Sequence, residues 1–156
     1  MNKIDQYILK KFISTYVLIQ LLFIPIAIVV NLADNIDKLL ENVKSELNKD
    51  FKSIVFHAAY QYFEERFNVT VLGAFTVNTD VMPGAEQLSE IREIIEHDKV
   101  SCIFSEPQFN PDIINAVAKD MNISTGVLDP LGATLEPGKG LYFDLIRNMS
   151  KSFKGC

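Results

Sequence analysis

The sequence lacks an excess of basic residues. Its 15 Lys and Arg are outnumbered by 20 Asp and Glu, which gives a net charge of −5. Nucleic-acid binding needs a basic surface to neutralise the phosphate backbone, so no nucleic-acid partner is expected. Glycine and proline are also scarce, with 7 and 6 residues, which excludes a fibrous or largely disordered chain. At 156 residues, the chain is too short for a two-lobed enzyme or a polytopic carrier.

Catalytic and phosphate-binding motifs are absent as well. The sequence contains no G-x-x-x-x-G-K-[ST], G-x-S-x-G or H-E-x-x-H pattern. Glu106 and Asp129 do not make a hydrolytic pair by themselves, because such a pair needs a general acid of shifted pKa. We assign no catalytic residue and expect a binding protein rather than an enzyme.

A long apolar run lies near the amino terminus. Residues 12–33 contain no charged residue and no histidine, and 17 of these 22 residues are apolar. About 20 helical residues cross the hydrocarbon core, whereas the apolar centre of a secretory signal has about 7 to 15. We predict an uncleaved membrane span, and a buried helix of a soluble protein is the alternative. Lys3, Lys10 and Lys11 precede the run, which favours an inside amino terminus and an outside remainder.

The composition changes near residue 44. Residues 1–44 carry 5 basic and 4 acidic residues, whereas residues 45–156 carry 10 and 16. We therefore assign residues 1–44 to a membrane anchor, residues 45–50 to a linker or accidental joint, and residues 51–156 to a separate domain.

Four repeats of a β-rich run followed by a helical stretch make up residues 51–156. The β-rich runs are 53–57, 69–75, 100–106 and 125–129, and the helical stretches are 58–67, 84–96, 111 onward and 141–153. This order is typical of an α/β fold, here a four-stranded parallel sheet wound with helices. The runs are nearly continuously apolar, as expected for strands covered on both faces. An aromatic cluster is predicted to lie in the core: Tyr60, Tyr62, Phe63 and Phe67.

Three polar residues lie at the ends of predicted strands. They are His57, Glu106 and Asp129, and ligands of open α/β sheets collect at the carboxyl ends of strands. Imidazole and carboxylate together suit Zn²⁺ or Mn²⁺. The same residues also suit structural roles, as a hydrogen-bonded core histidine, a cap and a turn before Pro130. The pattern alone leaves both interpretations open.

The motifs FHAAYQYF, SEPQF and LDPLG, with the sequence around them from Phe51 to Cys156, resemble the carboxyl-terminal lobe of ZnuA-type periplasmic zinc-binding proteins. These proteins deliver metal to an ABC importer. The resemblance implies that His57 is a zinc ligand, that Asp129 binds the metal or lies beside it, and that Glu106 shapes the site. It also implies Zn²⁺ rather than Mn²⁺ as cargo, and an importer permease as partner.

The resemblance further implies a disulfide between Cys102 and Cys156, which an oxidising periplasm would permit. From their spacing alone, one buried thiol and one frayed terminal thiol would be the preferred interpretation. Family members also have an amino-terminal lobe with further histidine ligands and a long connecting helix, for which we find no counterpart here. His97 lies at a helix end and cannot substitute. The face that meets the other lobe is expected to be unusually apolar or carboxylate-rich.

The first 44 residues resemble something unrelated. Their D-x-Y-I-L-K-K-F lead and apolar run resemble the first membrane helix of the LptF/LptG permeases of lipopolysaccharide export. This implies a single span in a bacterial inner membrane, with the carboxyl-terminal part in the periplasm. The sequence is interpreted as a chimera or gene remnant joined near residues 44–51, and as a partial zinc-binding protein. The alternative is a membrane-anchored fragment that acts by helix–helix interaction.

Overall fold

A computed structural model describes residues 2–47 and 50–156. The chain divides into two compact units between Leu40 and Glu41. Nine elements follow one another in the described residues, a long helix and then four strands that alternate with four helices. The α/β fold with an amino-terminal helix is therefore as predicted.

Helix α1 extends well beyond the predicted span. It runs from Lys3 to Glu46, passes through Pro25 and includes the first two residues of the predicted linker. The rest of that linker includes Asn48 and Lys49, which lie outside the described residues. In the described chain, α1 is the one helix that is long and apolar enough to cross a membrane.

The sheet has four parallel strands in the order β2-β1-β3-β4. The strands are β1 Lys52–His57, β2 Thr70–Thr76, β3 Cys102–Ser105 and β4 Ser124–Val127. β1 and β3 occupy the centre and are almost wholly buried. β4 lies at one edge and is mostly exposed, so the prediction that every strand is covered on both faces is wrong for β4.

Four helices connect and cover the strands. They are α2 Gln61–Phe67, α3 Ala85–Asp98, α4 Asp112–Met121 and α5 Leu141–Gly155. Predicted bounds differ from these mainly at the starts, and α2 begins three residues late. At α4 the N-cap position is Pro111, and the side chain of Asn110 accepts a hydrogen bond from the backbone N–H of Asp112 at 3.0 Å. The first helical residue of α4 is Asp112, so the helix begins one residue later than predicted.

Apolar side chains cover both faces of the central strands. On one face Ile54, Phe75 and Ile103 pack with residues of α3 and α4 in a single cluster. On the other, Phe153 of α5 contacts Phe104 of β3, with ring centroids 5.0 Å apart. These two layers fix the strand ends in space, and this is what positions the site described next.

The predicted aromatic core holds except at one residue. Tyr60, Phe63 and Phe67 are buried, but Tyr62 is 90% exposed. Residues four apart share a helix face, so Phe63 and Phe67 point inward together while Tyr62, one residue earlier, points about 100° away. The prediction is wrong for Tyr62 because it grouped residues by type and not by helical period.

Candidate metal site at the carboxyl edge

The strand order brings the three predicted residues to neighbouring positions. We call the ends of the four strands, at His57, Thr76, Ser105 and Val127, the carboxyl edge of the sheet. β3 pairs with β1 and with β4 in parallel, so His57, Glu106 and Asp129 follow three adjacent strands. Adjacent strands lie about 4.8 Å apart, which places the three backbones within about 10 Å.

His57 is the last residue of β1 and is half-buried. Its carbonyl oxygen accepts a hydrogen bond from the N–H of Ala59 at 2.9 Å, and the N–H of Ala58 bonds to Thr76 O at 3.3 Å. The chain therefore turns immediately after His57 while remaining attached to β2. These bonds fix the backbone from which the imidazole projects.

Glu106 is buried, with 4% of its surface exposed. Among the described residues, nothing hydrogen-bonds its Oε1 atom. Burial raises the pKa of Glu106, although the nearby Tyr60 hydroxyl, the charge of His57 and the His57 backbone N–H favour the ionised form. The carboxylate therefore lies near His57 and is shielded from water.

Tyr60 completes the buried polar group beside Glu106. Its side chain is 2% exposed, and no described residue forms a well-directed hydrogen bond with its hydroxyl. Burial, followed by the charge of Glu106, raises the pKa of Tyr60 far above its usual range. Sequence reasoning placed Tyr60 in the core and missed this polar role. Its position three residues after His57, at the start of a helix, is the signal that was available.

Asp129 lies just after β4 and is held by several donors. The backbone N–H and the hydroxyl of Thr134 both donate to its Oδ2, at 3.0 and 3.1 Å. The amide of Gln108 donates to its Oδ1 at 2.9 Å. Burial opposes ionisation of Asp129, but these bonds and one from the Ala133 backbone outweigh burial and lower its pKa. The carboxylate is therefore an anion that also closes the loop after β4.

The hydrogen bonds fix the orientation of the Asp129 carboxylate. Each carboxylate oxygen has two lone pairs, and those of Oδ2 are taken by Thr134. Oδ1 accepts the bond from Gln108 at 2.9 Å, and the Ala133 backbone is a further donor to the carboxylate. Sequence reasoning missed Gln108 and Thr134, although both lie close to the candidate acids, within the SEPQF motif and just after the LDPLG motif.

The candidate ligands remain few. The described residues contain no group of three or more His, Cys, Asp or Glu side chains that could hold a metal ion. His57 and Asp129 are thus candidates for part of a coordination shell, with Glu106 beside them. His97 is exposed in the last turn of α3. The chain runs from α3 into the end of β3 that is opposite the carboxyl edge.

A disulfide joins Cys102 of β3 to Cys156, as the resemblance implied. The two Cα atoms are 5.9 Å apart, within the usual range for a disulfide. The bond ties the end of α5 to the centre of the sheet. It therefore supports the scaffold of the site without taking part in the site.

Comparison with known proteins identifies the family. The sequence profile of ZnuA, described as zinc-uptake complex component A, periplasmic, matches residues 29–156. The chain belongs to the ZnuA family. The match begins inside α1, so likeness to ZnuA extends further towards the amino terminus than residue 51.

Individual ZnuA proteins show the extent of the likeness. The high-affinity zinc uptake system protein ZnuA of Brucella abortus is 45% identical over 125 residues, which are 79% of this chain and 37% of that protein. The protein of the same name from Yersinia pestis is 42% identical over 126 residues, 80% of this chain and 39% of that protein. The chain thus spans about two fifths of the length of the curated ZnuA relatives it matches.

A solved structure shows the same fold. The laminin-binding protein Lbp of Streptococcus pyogenes superimposes with a TM-score of 0.67 at 25% identity. The superposition covers 78% of this chain and 48% of Lbp. The sheet and its helices therefore match one part of a solute-binding protein fold.

Proposed function

We propose that residues 51–156 bind a zinc ion as cargo for an ABC-type uptake system, as a partial binding protein and not as an enzyme. The observation that carries the proposal is that His57 ends β1 and Asp129 follows β4, the two strands on either side of β3 at the carboxyl edge. Support comes from the ZnuA family, whose relatives are named as zinc uptake proteins. An importer permease is the proposed partner.

The donors favour zinc over manganese. Zinc binds imidazole nitrogen and carboxylate oxygen at about 2.0–2.2 Å, whereas manganese prefers a shell rich in oxygen. Asp129 already accepts bonds from Thr134, Gln108 and the Ala133 backbone, so it would offer an ion at most one oxygen, which suits the smaller shell of zinc. Glu106 is buried near His57. We propose that it shapes the electrostatics of the site without contacting the ion.

Zinc titration of the full chain in mild detergent tests the proposal. His57→Ala is expected to weaken binding by more than the 10- to 100-fold typical of losing an outer hydrogen-bond partner of a metal ligand. Asp129→Asn should weaken it less, because the amide oxygen still offers a lone pair. His97→Ala is the matched control, since it removes the other histidine, which is exposed on α3. Equal losses from His57→Ala and His97→Ala would show that the metal binds non-specifically.

For α1 we propose a single span of a bacterial inner membrane by residues 12–33, with the α/β part in the periplasm. The large apolar side chains of this segment are 43–69% exposed, so the fold itself gives them no cover. The resemblance to the first LptF/LptG helix supports the same placement. An alternative function follows from it, in which α1 docks on an export permease by helix–helix contact. Co-purification of export-permease subunits with the full chain, and its loss on deleting residues 1–28, would favour that alternative.

The origin of the chain as a chimera is also proposed. The composition changes near residue 44, whereas the family match starts at residue 29. Sequencing reads across codons 29–51 test the proposal. Reads that fail to span this stretch in one frame would reveal a joining artefact, and an intact frame would mean that the fusion is encoded as such.

A further inference from the structure

The two oxygens of the Asp129 carboxylate are held differently. The backbone N–H and the hydroxyl of Thr134 both donate to Oδ2, at 3.0 and 3.1 Å. Gln108, which follows β3, donates to Oδ1 at 2.9 Å. The Ala133 backbone is a further donor to the carboxylate. Two donors of a single residue thus meet on one oxygen, whereas the other oxygen is contacted from a different segment of the chain.

The turn after Asp129 keeps Thr134 in place. The N–H of Leu135 bonds to Gly132 O at 3.0 Å, and Thr134 lies within the turn that this bond closes. Gly132 has a φ of 68°, a left-handed conformation that glycine adopts far more readily than other residues. The backbone N–H and the hydroxyl of Thr134 are therefore presented together to the same oxygen of Asp129.

The bonds from Thr134 decide which oxygen of Asp129 is accessible to an ion. A carboxylate oxygen has two lone pairs, and the two donors of Thr134 use both of those on Oδ2. An ion can then be bound through at most one oxygen, Oδ1. Zinc prefers a tetrahedral shell of four ligands, whereas manganese prefers a larger shell rich in oxygen. Two-oxygen coordination by a carboxylate therefore helps manganese more than zinc.

We propose that Thr134 is a positioning residue that sets the metal preference of the site, because it fills Oδ2 and restricts Asp129 to one-oxygen coordination. The inference rests on the proposed function and deepens it. Thr134 acts through Asp129 and does not contact the ion. Removing its hydroxyl returns one lone pair to Oδ2, so that the carboxylate can bind an ion through both oxygens. The preference for zinc over manganese then decreases.

The test compares the affinities of two metals. The full chain in mild detergent is titrated with zinc chloride and, separately, with manganese chloride. Zinc binds most protein sites more tightly than manganese, so the readout is the change in the affinity ratio and not the ratio itself. Thr134→Val removes the hydroxyl but keeps the shape and the backbone N–H, and Thr134 is exposed, so no core contact is lost.

The ratio of zinc affinity to manganese affinity should fall about 10-fold in Thr134→Val, the lower end of the effect of losing an outer hydrogen-bond partner. Thr134→Ser keeps a hydroxyl at the same position and should restore the wild-type ratio. A purely structural role would weaken both metals alike and leave the ratio unchanged.

Two controls separate the filled oxygen from the fold. Thr70→Val makes the same chemical change at an exposed residue at the start of β2, the opposite end of the sheet, and should leave both affinities unchanged. Gln108→Met removes the donor to Oδ1 and should change both affinities alike, because Oδ2 stays filled.

The outcomes distinguish this inference from the proposed function. An unchanged ratio in Thr134→Val, a failure of Thr134→Ser to restore it, or an equal fall in Gln108→Met would overturn the inference and leave the proposed function standing. A wild-type chain that binds no zinc would overturn the proposed function, and the inference with it.

Discussion

The apolar residues of α1 and those of the sheet have the same chemistry but opposite surroundings. Phe12 and Leu22 of α1 are 69% and 62% exposed, whereas Ile54 and Phe75 of the sheet are fully buried. Burial of apolar area stabilises a fold by about 25 cal/mol per Å². The sheet obtains this from its own helices, and residues 12–33 do not obtain it from the described chain. Hydrophobicity therefore shows that a segment must leave water, and only the fold shows where it goes.

The largest expected effect is on unfolding free energy, when one phenylalanine in each region is replaced by alanine. Phe75→Ala removes a ring from the closed core and should cost about 3–5 kcal/mol of unfolding free energy. Phe12→Ala should leave the unfolding of the α/β unit unchanged, because its ring is exposed. Urea unfolding of the full chain in detergent, followed by near-ultraviolet circular dichroism, measures both. Equal losses would mean that α1 contributes to the core of the α/β unit.

The disulfide is the second difference, since both cysteines lie in the α/β unit. Cys156→Ser should cost about 2–4 kcal/mol of unfolding free energy, because the unfolded chain then regains the freedom of a long loop. Treating the wild type with a reducing agent is the control. The reduced wild type should unfold at the same midpoint as the Cys156→Ser variant. A reduced wild type as stable as the oxidised form would show that α5 is held by packing alone.

Membrane insertion tests the other region. Leu22→Arg puts a charge near the middle of the apolar run and should disfavour insertion by about 2.5–3.5 kcal/mol. The variant should move from the membrane fraction to the soluble fraction, while Leu22→Ala stays with the membrane. Extraction of isolated membranes with alkaline carbonate measures the distribution. Release of the wild-type protein by carbonate would contradict a membrane span.

The sequence alone predicted the secondary structure well where local pattern and burial agree. The alternation of β-rich and helical stretches predicted four parallel strands, and it predicted that His57, Glu106 and Asp129 lie at strand ends. The strand order, which brings these ends to neighbouring positions, was not predicted. The prediction was least accurate at β4, because apolar content does not reveal that a strand lies at a sheet edge. Helix α1 ran past the composition change because helix continuation depends on backbone propensity, and Ser45 and Glu46 do not interrupt it.

The sequence named His57, Glu106 and Asp129 as candidate site residues, but it did not predict the hydrogen bonds around them. Gln108 and Thr134 bind Asp129 across loops whose course is set by tertiary packing, which no local pattern encodes. The burial of Tyr60 against Glu106 likewise depends on how α2 sits after β1. Sequence reasoning can thus name candidate side chains, and the fold shows how their hydrogen bonds orient them.

The smallest expected effect is a pH dependence confined to the α/β unit, since residues 12–33 contain no Asp, Glu or His. Burial raises the pKa of Glu106, so the folded state binds this proton more tightly than the unfolded state. The contribution of Glu106 to stability is therefore complete below its unfolded pKa of about 4.3 and is lost as the pH rises through its raised folded value. Glu106→Gln cannot ionise and should remove this decline.

Asp129 gives the opposite sign and serves as the internal control. Hydrogen bonds lower its pKa, so its contribution is present above the ordinary value and is lost as the pH falls through the folded value. Asp129→Asn should therefore lower stability above about pH 4 and remove the loss of stability at the acid end, whereas Glu106→Gln should remove the decline from about pH 4 upward. Unfolding free energies in EDTA across pH 3 to 8 distinguish the two. If the unfolding free energies of wild type and Glu106→Gln change equally with pH above about pH 4, Glu106 ionises without cost. Water would then reach its carboxylate.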